Sequence, residues 1–304
     1  MIFLNNFEFI DEDRHYKPLL PLYNRCTSDE YYPLGIFNVN FTGQRIRRMD
    51  FEDITILYGG NGSGKTTLLN IMAEKLGAFR NKRYTQTEGF AYFIEHCYYE
   101  YDEKPLMKKF LASDDIFDYI LTVREENRGV KKHKLKEAEF HCDAKEYRKV
   151  YPDGIHLDFE NPDVNDNLKF ERYMDARRKT KKQYVRSRAG EMQRQFSNGE
   201  NALMFFDKEI EKDALYFLDE PENSMSPKFQ LELKTLIEDS VRYKNCQFVI
   251  ATHSPFILSL HNAKIYNLDV MPVTVEHWYE LENVRYYYDF FKKNRDFFED
   301  KSYK

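Results

Sequence analysis

Nine consecutive residues, Gly59-Gly60-Asn61-Gly62-Ser63-Gly64-Lys65-Thr66-Thr67, carry the densest chemistry in this chain. Glycines let a backbone curl until successive N–H groups converge on one point, a following helix N-terminus adds its partial positive charge, and a lysine supplies a mobile cation. Gly59, Asn61, Gly62, Ser63, Gly64, Lys65, Thr66 and Thr67 are therefore expected to bind the phosphates of a nucleoside triphosphate, with the Thr66 hydroxyl on Mg²⁺. A plain glycine-rich turn would show the same composition. The flanks argue for more: Ile54-Thr55-Ile56-Leu57-Tyr58 reads as a strand and Leu68-Leu69-Asn70-Ile71-Met72-Ala73 as a helix, the setting this loop requires.

Three further candidates stand far along the chain. Asp219 ends the apolar run Ala214-Leu215-Tyr216-Phe217-Leu218, and the carboxyl ends of buried strands are where open α/β sheets gather their ligands. An acid there can hold Mg²⁺ opposite Thr66. Glu220 is expected to be the base that orients and polarises an attacking water. His253 ends the next buried run, Gln247-Phe248-Val249-Ile250-Ala251-Thr252, where an imidazole can hydrogen-bond the terminal phosphate or that water.

These groups need elements to hold them. Asn198–Glu211 is amphipathic, with Leu203, Phe206 and Ile210 on one face, and Ser226-Pro227 opens a helix to about Arg242 with Phe229, Leu233, Leu236 and Ile237 inward. Two apolar strands joined through that helix imply parallel pairing. Upstream, Ile36–Phe41 alternates with period two, Phe90–Tyr101 suggests a strand, and Leu106–Arg128 has helical spacing with a cap at Ser113-Asp114-Asp115. Between Gly129 and Gln195 the chain is highly charged, with turn signals at Tyr151-Pro152-Asp153-Gly154 and Asn161-Pro162-Asp163, which reads as an inserted, largely helical lobe.

The phosphate loop, then Phe196-Ser197-Asn198-Gly199-Glu200, Leu218-Asp219-Glu220-Pro221-Glu222 and Thr252-His253-Ser254-Pro255, resemble in order and spacing the motifs of ABC-type ATPases. The chain is most similar to the soluble branch related to the SMC, RecF and overcoming-lysogenisation-defect families, often called AAA-family ATPases. The resemblance is strong over 51–72 and 196–258 and weak in the insertion. It implies an α/β fold of the P-loop NTPase type, a mixed sheet with flanking helices and an inserted helical lobe. The core is then split into an N-terminal part at 1–101, the lobe at 102–195 and a C-terminal part at 196–304. The implied cofactors are ATP and Mg²⁺, and the implied activity is ATP hydrolysis. Ser197 and Gly199 belong to the signature motif, which has Asn198 where a second glycine is usual and which touches the γ-phosphate held by another subunit. Asn223-Ser224-Met225-Ser226 resembles the loop that crosses to that partner, so the resemblance implies a homodimer through ATP. The Q-loop glutamine has no clear counterpart, Gln86 lying early; Phe41, Arg45 or Arg47 are the candidates for contacting adenine.

Bulk properties bound the partners. With 304 residues, 42% of them hydrophobic, the chain can build a large core. No run is long enough to span a membrane and Met1–Phe7 lacks a leader pattern, so no membrane partner and a cytoplasmic location are expected. Cys26, Cys97, Cys142 and Cys246 are scattered, which favours reduced buried thiols over a zinc site. Net charge is only −5, yet Lys169–Arg194 holds ten basic side chains against three acids, either a solvated face or a track for nucleic acid. Aromatics crowd Trp278–Phe298, more than one helix face can bury, leaving some for a partner protein such as an effector encoded nearby. No nuclease carboxylate cluster appears. Three functions stay open: an ATPase dimer controlling DNA or an effector in repair or antiviral defence, a transporter's nucleotide-binding subunit, and an ATP-gated scaffold with little turnover.

Overall fold

The computed structural model describes residues 2–9, 46–81, 88–122 and 197–299. The chain divides into two units, one of 1–117 with 197–304 and one of 118–196; within the second only 118–122 are described, and they are helical. Ile36–Phe41, the body of the charged insertion, Gln86, Phe41 and Arg45, Cys26 and Cys142 all lie outside the described residues.

In the first unit the described strands form two sheets. Leu4–Glu8 (β1) lies between Arg48–Asp50 (β2) and Tyr98–Tyr101 (β4), antiparallel to both. The larger sheet has six strands among the described residues. Ile54–Tyr58 (β3), Met107–Ala112 (β5), Ala214–Asp219 (β6), Gln247–Ala251 (β7), Lys264–Asn267 (β8) and Thr274–Glu276 (β9) run in the order β5-β6-β7-β3-β8-β9. Every pairing is parallel except β8 with β9. β3 and β7 are buried throughout, and β6 is buried up to its last residue, as expected of central parallel strands covered on both faces.

Helices join and cover these strands: Lys65–Leu76 (α1), Glu88–Glu95 (α2), Asn198–Glu209 (α3), Pro227–Lys244 (α4), Pro255–Leu258 (α5), Glu282–Lys293 (α6) and Arg295–Glu299 (α7). One core cluster gathers Leu4 and Phe7 of β1, Met49 of β2, Leu57 of β3, Leu68 and Met72 of α1, and Phe217 of β6. A buried glutamine ties the two sheets: Gln247 accepts from the N–H groups of Phe3 (3.1 Å) and Leu4 (2.7 Å) and donates to the carbonyls of Leu4 and Glu52. With four partners it meets the requirement that a buried amide be fully paired.

Two expectations are corrected here. Phe90–Tyr101 is not one strand: Phe90 sits in α2 and only Tyr98–Tyr101 pairs with β1. Leu106–Arg128 is not helical from its start, because Met107–Ala112 is recruited as an edge strand beside β6, in register from Met107 with Ala214 to Ala112 with Asp219; helix begins at 113. In the second case a strand partner overrides local spacing. The free Cys97 and Cys246 are buried, as expected.

Candidate functional site

Four loops leave the same edge of the large sheet, where β3, β6, β7 and β8 end. Ladder-like bonds align these ends: Glu220 N–H donates to Ala251 O (2.9 Å), Thr252 N–H to Leu57 O (3.2 Å) and Leu268 N–H to Tyr58 O (2.9 Å). The residues that follow each strand therefore meet in one place.

The phosphate loop follows β3. Gly62 and Gly64 have φ of +80° and +98°, conformations that only glycine enters without strain. A Cβ on Gly59 would fall 2.4 Å from Ser63 Oγ, so the loop closes on itself only because that carbon is missing. Gly64 begins α1 with no side chain capping it and no acid in the first turn. The first N–H groups of α1 thus point out as unsatisfied donors with a positive helix end behind them, a built anion site. Ser63 Oγ is likewise buried without a partner among the described residues. Lys65 lies buried against the loop, its ammonium donating to Gly59 O (2.7 Å) and Gly60 O (3.0 Å). Asn61 is exposed at the tip, and Thr67 is buried in α1.

Thr66 and Asp219, 153 positions apart, meet as expected: Thr66 Oγ1 donates to Asp219 Oδ1 at 2.9 Å. Burial raises the Asp219 carboxyl to about 6, with Glu220 pushing the same way against the Thr66 hydrogen bond and Lys65. A hydroxyl and a carboxylate side by side, next to an anion cradle, are the oxygen donors that Mg²⁺ takes together with phosphate. The donor set fits the ion, and the uncapped helix end fits a triphosphate.

Glu220 follows at φ +47°, and Ser224 has +68°, both left-handed without being glycine. Such conformations persist only where the surroundings over-determine them. Here Ala251 O holds the Glu220 N–H, while Asn223 donates its amide to Glu220 Oε2 (3.0 Å) and its N–H to Glu220 O (3.1 Å). His253 projects from the end of β7, its Nδ1 lying 3.8 Å from Glu220 Oε1 and 3.9 Å from Glu222 Oε1. Asp219, Glu220 and His253 are thus brought together with the phosphate loop.

Ser197 and Gly199 open α3. Ser197 caps it: its hydroxyl accepts from Glu200 N–H (3.3 Å), while its own N–H and hydroxyl donate to Glu200 Oε2 (2.8 and 2.9 Å). These bonds hold the Glu200 carboxyl below its usual range. Gly199 is buried, and a Cβ there would stand 2.4 Å from Phe229 Cδ2, so its smallness lets α3 lie against α4. The Ser197 hydroxyl and N–H thus bond within their own turn. Arg47, the one adenine candidate among the described residues, lies exposed just before β2.

Sequence reasoning missed two acids. Asp269, just beyond β8, receives the Gly60 N–H on both oxygens at 2.9 Å and so braces the phosphate loop. It stands two residues past the end of β8, whose Lys264 and Asn267 blur the apolar run that marks Asp219 at the end of β6. Glu222 is the other. Only 5% exposed, it accepts from Thr252 Oγ1 (2.5 Å) and from the N–H groups of His253 and Ser254 (3.3 Å each). Burial pushes its carboxyl up.

Comparison with known proteins agrees with this geometry. A family profile described as ABC transporter matches residues 48–223, more than half of the chain, and one described as AAA ATPase domain matches 190–258. No curated protein matches. Among solved structures, the chain is similar to the Smc head domain of Pyrococcus furiosus, bound there to the C-terminal domain of ScpA (11% identity, TM-score 0.44, 97% of this chain and 100% of that). It is also similar to a nucleotide-free ATP-binding cassette of an ABC transporter (14%, 0.37, 88% and 88%) and to another such cassette in its ADP conformation (14%, 0.39, 99% and 100%). Identities and scores this low leave the assignment to the profile and the site. The chain belongs to the ABC-type ATPase family, whose members bind ATP, use Mg²⁺ and hydrolyse the nucleotide.

Proposed function

We propose that two copies of this chain clamp ATP between the phosphate loop of one and the α3 tip of the other, and that the resulting hydrolysis cycle controls DNA or a partner effector of the repair or antiviral-defence kind. In this reading Gly59, Asn61, Gly62, Ser63, Gly64, Lys65, Thr66 and Thr67 hold the phosphates, and Thr66 and Asp219 hold Mg²⁺, which supplies positive charge to the phosphate oxygens. Glu220 orients a water in line with the γ-phosphorus and takes its proton as the bond to the β–γ bridging oxygen breaks and ADP leaves. His253 donates a hydrogen bond to the γ-phosphate. Ser197 and Gly199 meet the γ-phosphate on the partner.

The observation that carries the hydrolytic part is the convergence of Thr66, Asp219, Glu220 and His253 at one sheet edge. For assembly in trans, the support is the Ser197 tip, exposed at the start of α3, a helix N-terminus whose positive end suits another copy's anion. The basic stretch Lys169–Arg194, the feature that points to nucleic acid, lies outside the described residues. A second reading, the nucleotide-binding subunit of a transporter, is favoured by the description of the family profile. Among the described residues no helix is long and apolar enough to cross a membrane, so a membrane partner would have to bring the spanning segments.

The test is the mass in solution of the E220Q variant with MgATP, measured by light scattering. A dimer is expected, reverting to monomer with ADP. A monomer under all conditions would overturn the clamp, and co-purification with a membrane protein would favour the transporter reading.

A further inference from the structure

A buried carboxyl group in a hydrolytic site is costly unless its oxygens are paired, and Glu222 pairs only one of them. Oε1 collects three donors, the Thr252 hydroxyl and the N–H groups of His253 and Ser254, while Oε2 is buried with no partner among the described residues. A group held so unevenly is serving the side it binds, and that side is the turn that carries His253. The turn is fastened from below as well. Ser254 N–H donates to Thr252 Oγ1 (3.0 Å), and Ser254 Oγ donates to Gln230 Oε1 (2.6 Å). Gln230 in turn donates to Met225 O (2.9 Å). The loop after Glu220 and the turn after β7 are thus two ends of one hydrogen-bonded strut. Its central member stands two residues beyond Glu220.

We propose that Glu222 is a positioning residue for ATP hydrolysis: through Oε1 it fixes the Thr252–Ser254 turn and so sets the His253 imidazole beside Glu220. The inference rests on the role proposed above for His253. In this role Glu222 acts through the turn it holds. Because the imidazole stands between Glu220 Oε1 (3.8 Å) and Glu222 Oε1 (3.9 Å), slack in the turn moves it relative to the reacting phosphate. A misplacement on the order of 1 Å can cost about 100-fold in rate.

The experiment compares steady-state ATPase activity of E222A, E222Q, H253A and the double variant E222A/H253A, with fluorescent-nucleotide binding and thermal unfolding measured alongside. E222A should lower kcat about 10- to 100-fold while KM stays within about twofold, the pattern of lost transition-state positioning. E222Q keeps an oxygen where Oε1 stands and should retain kcat within about threefold. The double variant should be no slower than the slower single variant, since both act through one group. If E222A does not fold, T252V, which removes the shortest of the three bonds, should show the same loss of kcat at unchanged KM. Multiplying losses in the double variant, an E222Q as poor as E222A, or normal kcat in E222A or T252V would each overturn the proposal while leaving the role of His253 intact. A silent H253A would remove that role, and this inference with it.

Discussion

Single residues at this site work against their own stability. Asp219 is raised from its ordinary 3.8 to about 6, chiefly by burial. With a folded pKa above the unfolded one, the folded chain binds the extra proton between those values, so stability falls as pH rises through that window and the ionised carboxylate is a net cost at neutral pH. D219N keeps an oxygen for the Thr66 hydroxyl and sheds the buried charge. It should therefore be more stable than the parent by about 1 kcal/mol, roughly 2–4 °C in melting temperature, while losing Mg²⁺-dependent hydrolysis. Melting curves in chelator check this, and the gain should vanish towards pH 4, where the parent carboxyl is itself protonated. Lys65 is the converse case, a charge whose present partners are two loop carbonyls at 2.7 and 3.0 Å. K65A should abolish ATP binding in a titration at micromolar protein, because charge-assisted contacts of about 1.5–3 kcal/mol each are lost at the phosphates.

At the scale of elements, α3 and α4 meet through the missing side chain of Gly199. G199A should cost about 1–3 kcal/mol in urea unfolding, since the new methyl meets a ring rather than a flexible chain end. In an F229A background the same change should be nearly neutral, a coupling that a double-variant cycle reads directly. The phosphate loop was legible in the sequence because its nine residues are contiguous and their flanks follow local rules. Asp219, Glu220 and His253 were legible because each stands at or just past the end of a buried apolar run. β5 was not, since its partner β6 lies about a hundred residues on and pairing decides what Met107–Ala112 becomes. The bracing of Gly60 by Asp269 across 209 positions and of Thr252 by Glu222 across 30 is a tertiary property, invisible to spacing. Gly199 was read for its approach to phosphate; its contact with Phe229 depends on how two helices cross.

For the whole molecule, the proposed assembly makes a prediction that no monomeric arrangement shares. K65A disables the phosphate loop but leaves the α3 tip intact, and S197R blocks the tip but leaves the loop. If each site needs both parts from one chain, mixing the two inactive proteins yields nothing. In a clamp of two copies, the mixed dimer joins one sound loop to one sound tip, and its other site combines both defects. Random exchange makes half the dimers mixed, so a 1:1 mixture should recover about a quarter of the parent activity if the two sites turn over independently. Recovery near zero at concentrations where the E220Q variant dimerises would place both parts of the site in one chain. Recovery well below a quarter but above background would mean that the two sites fire together, the partner's empty loop holding the sound one back.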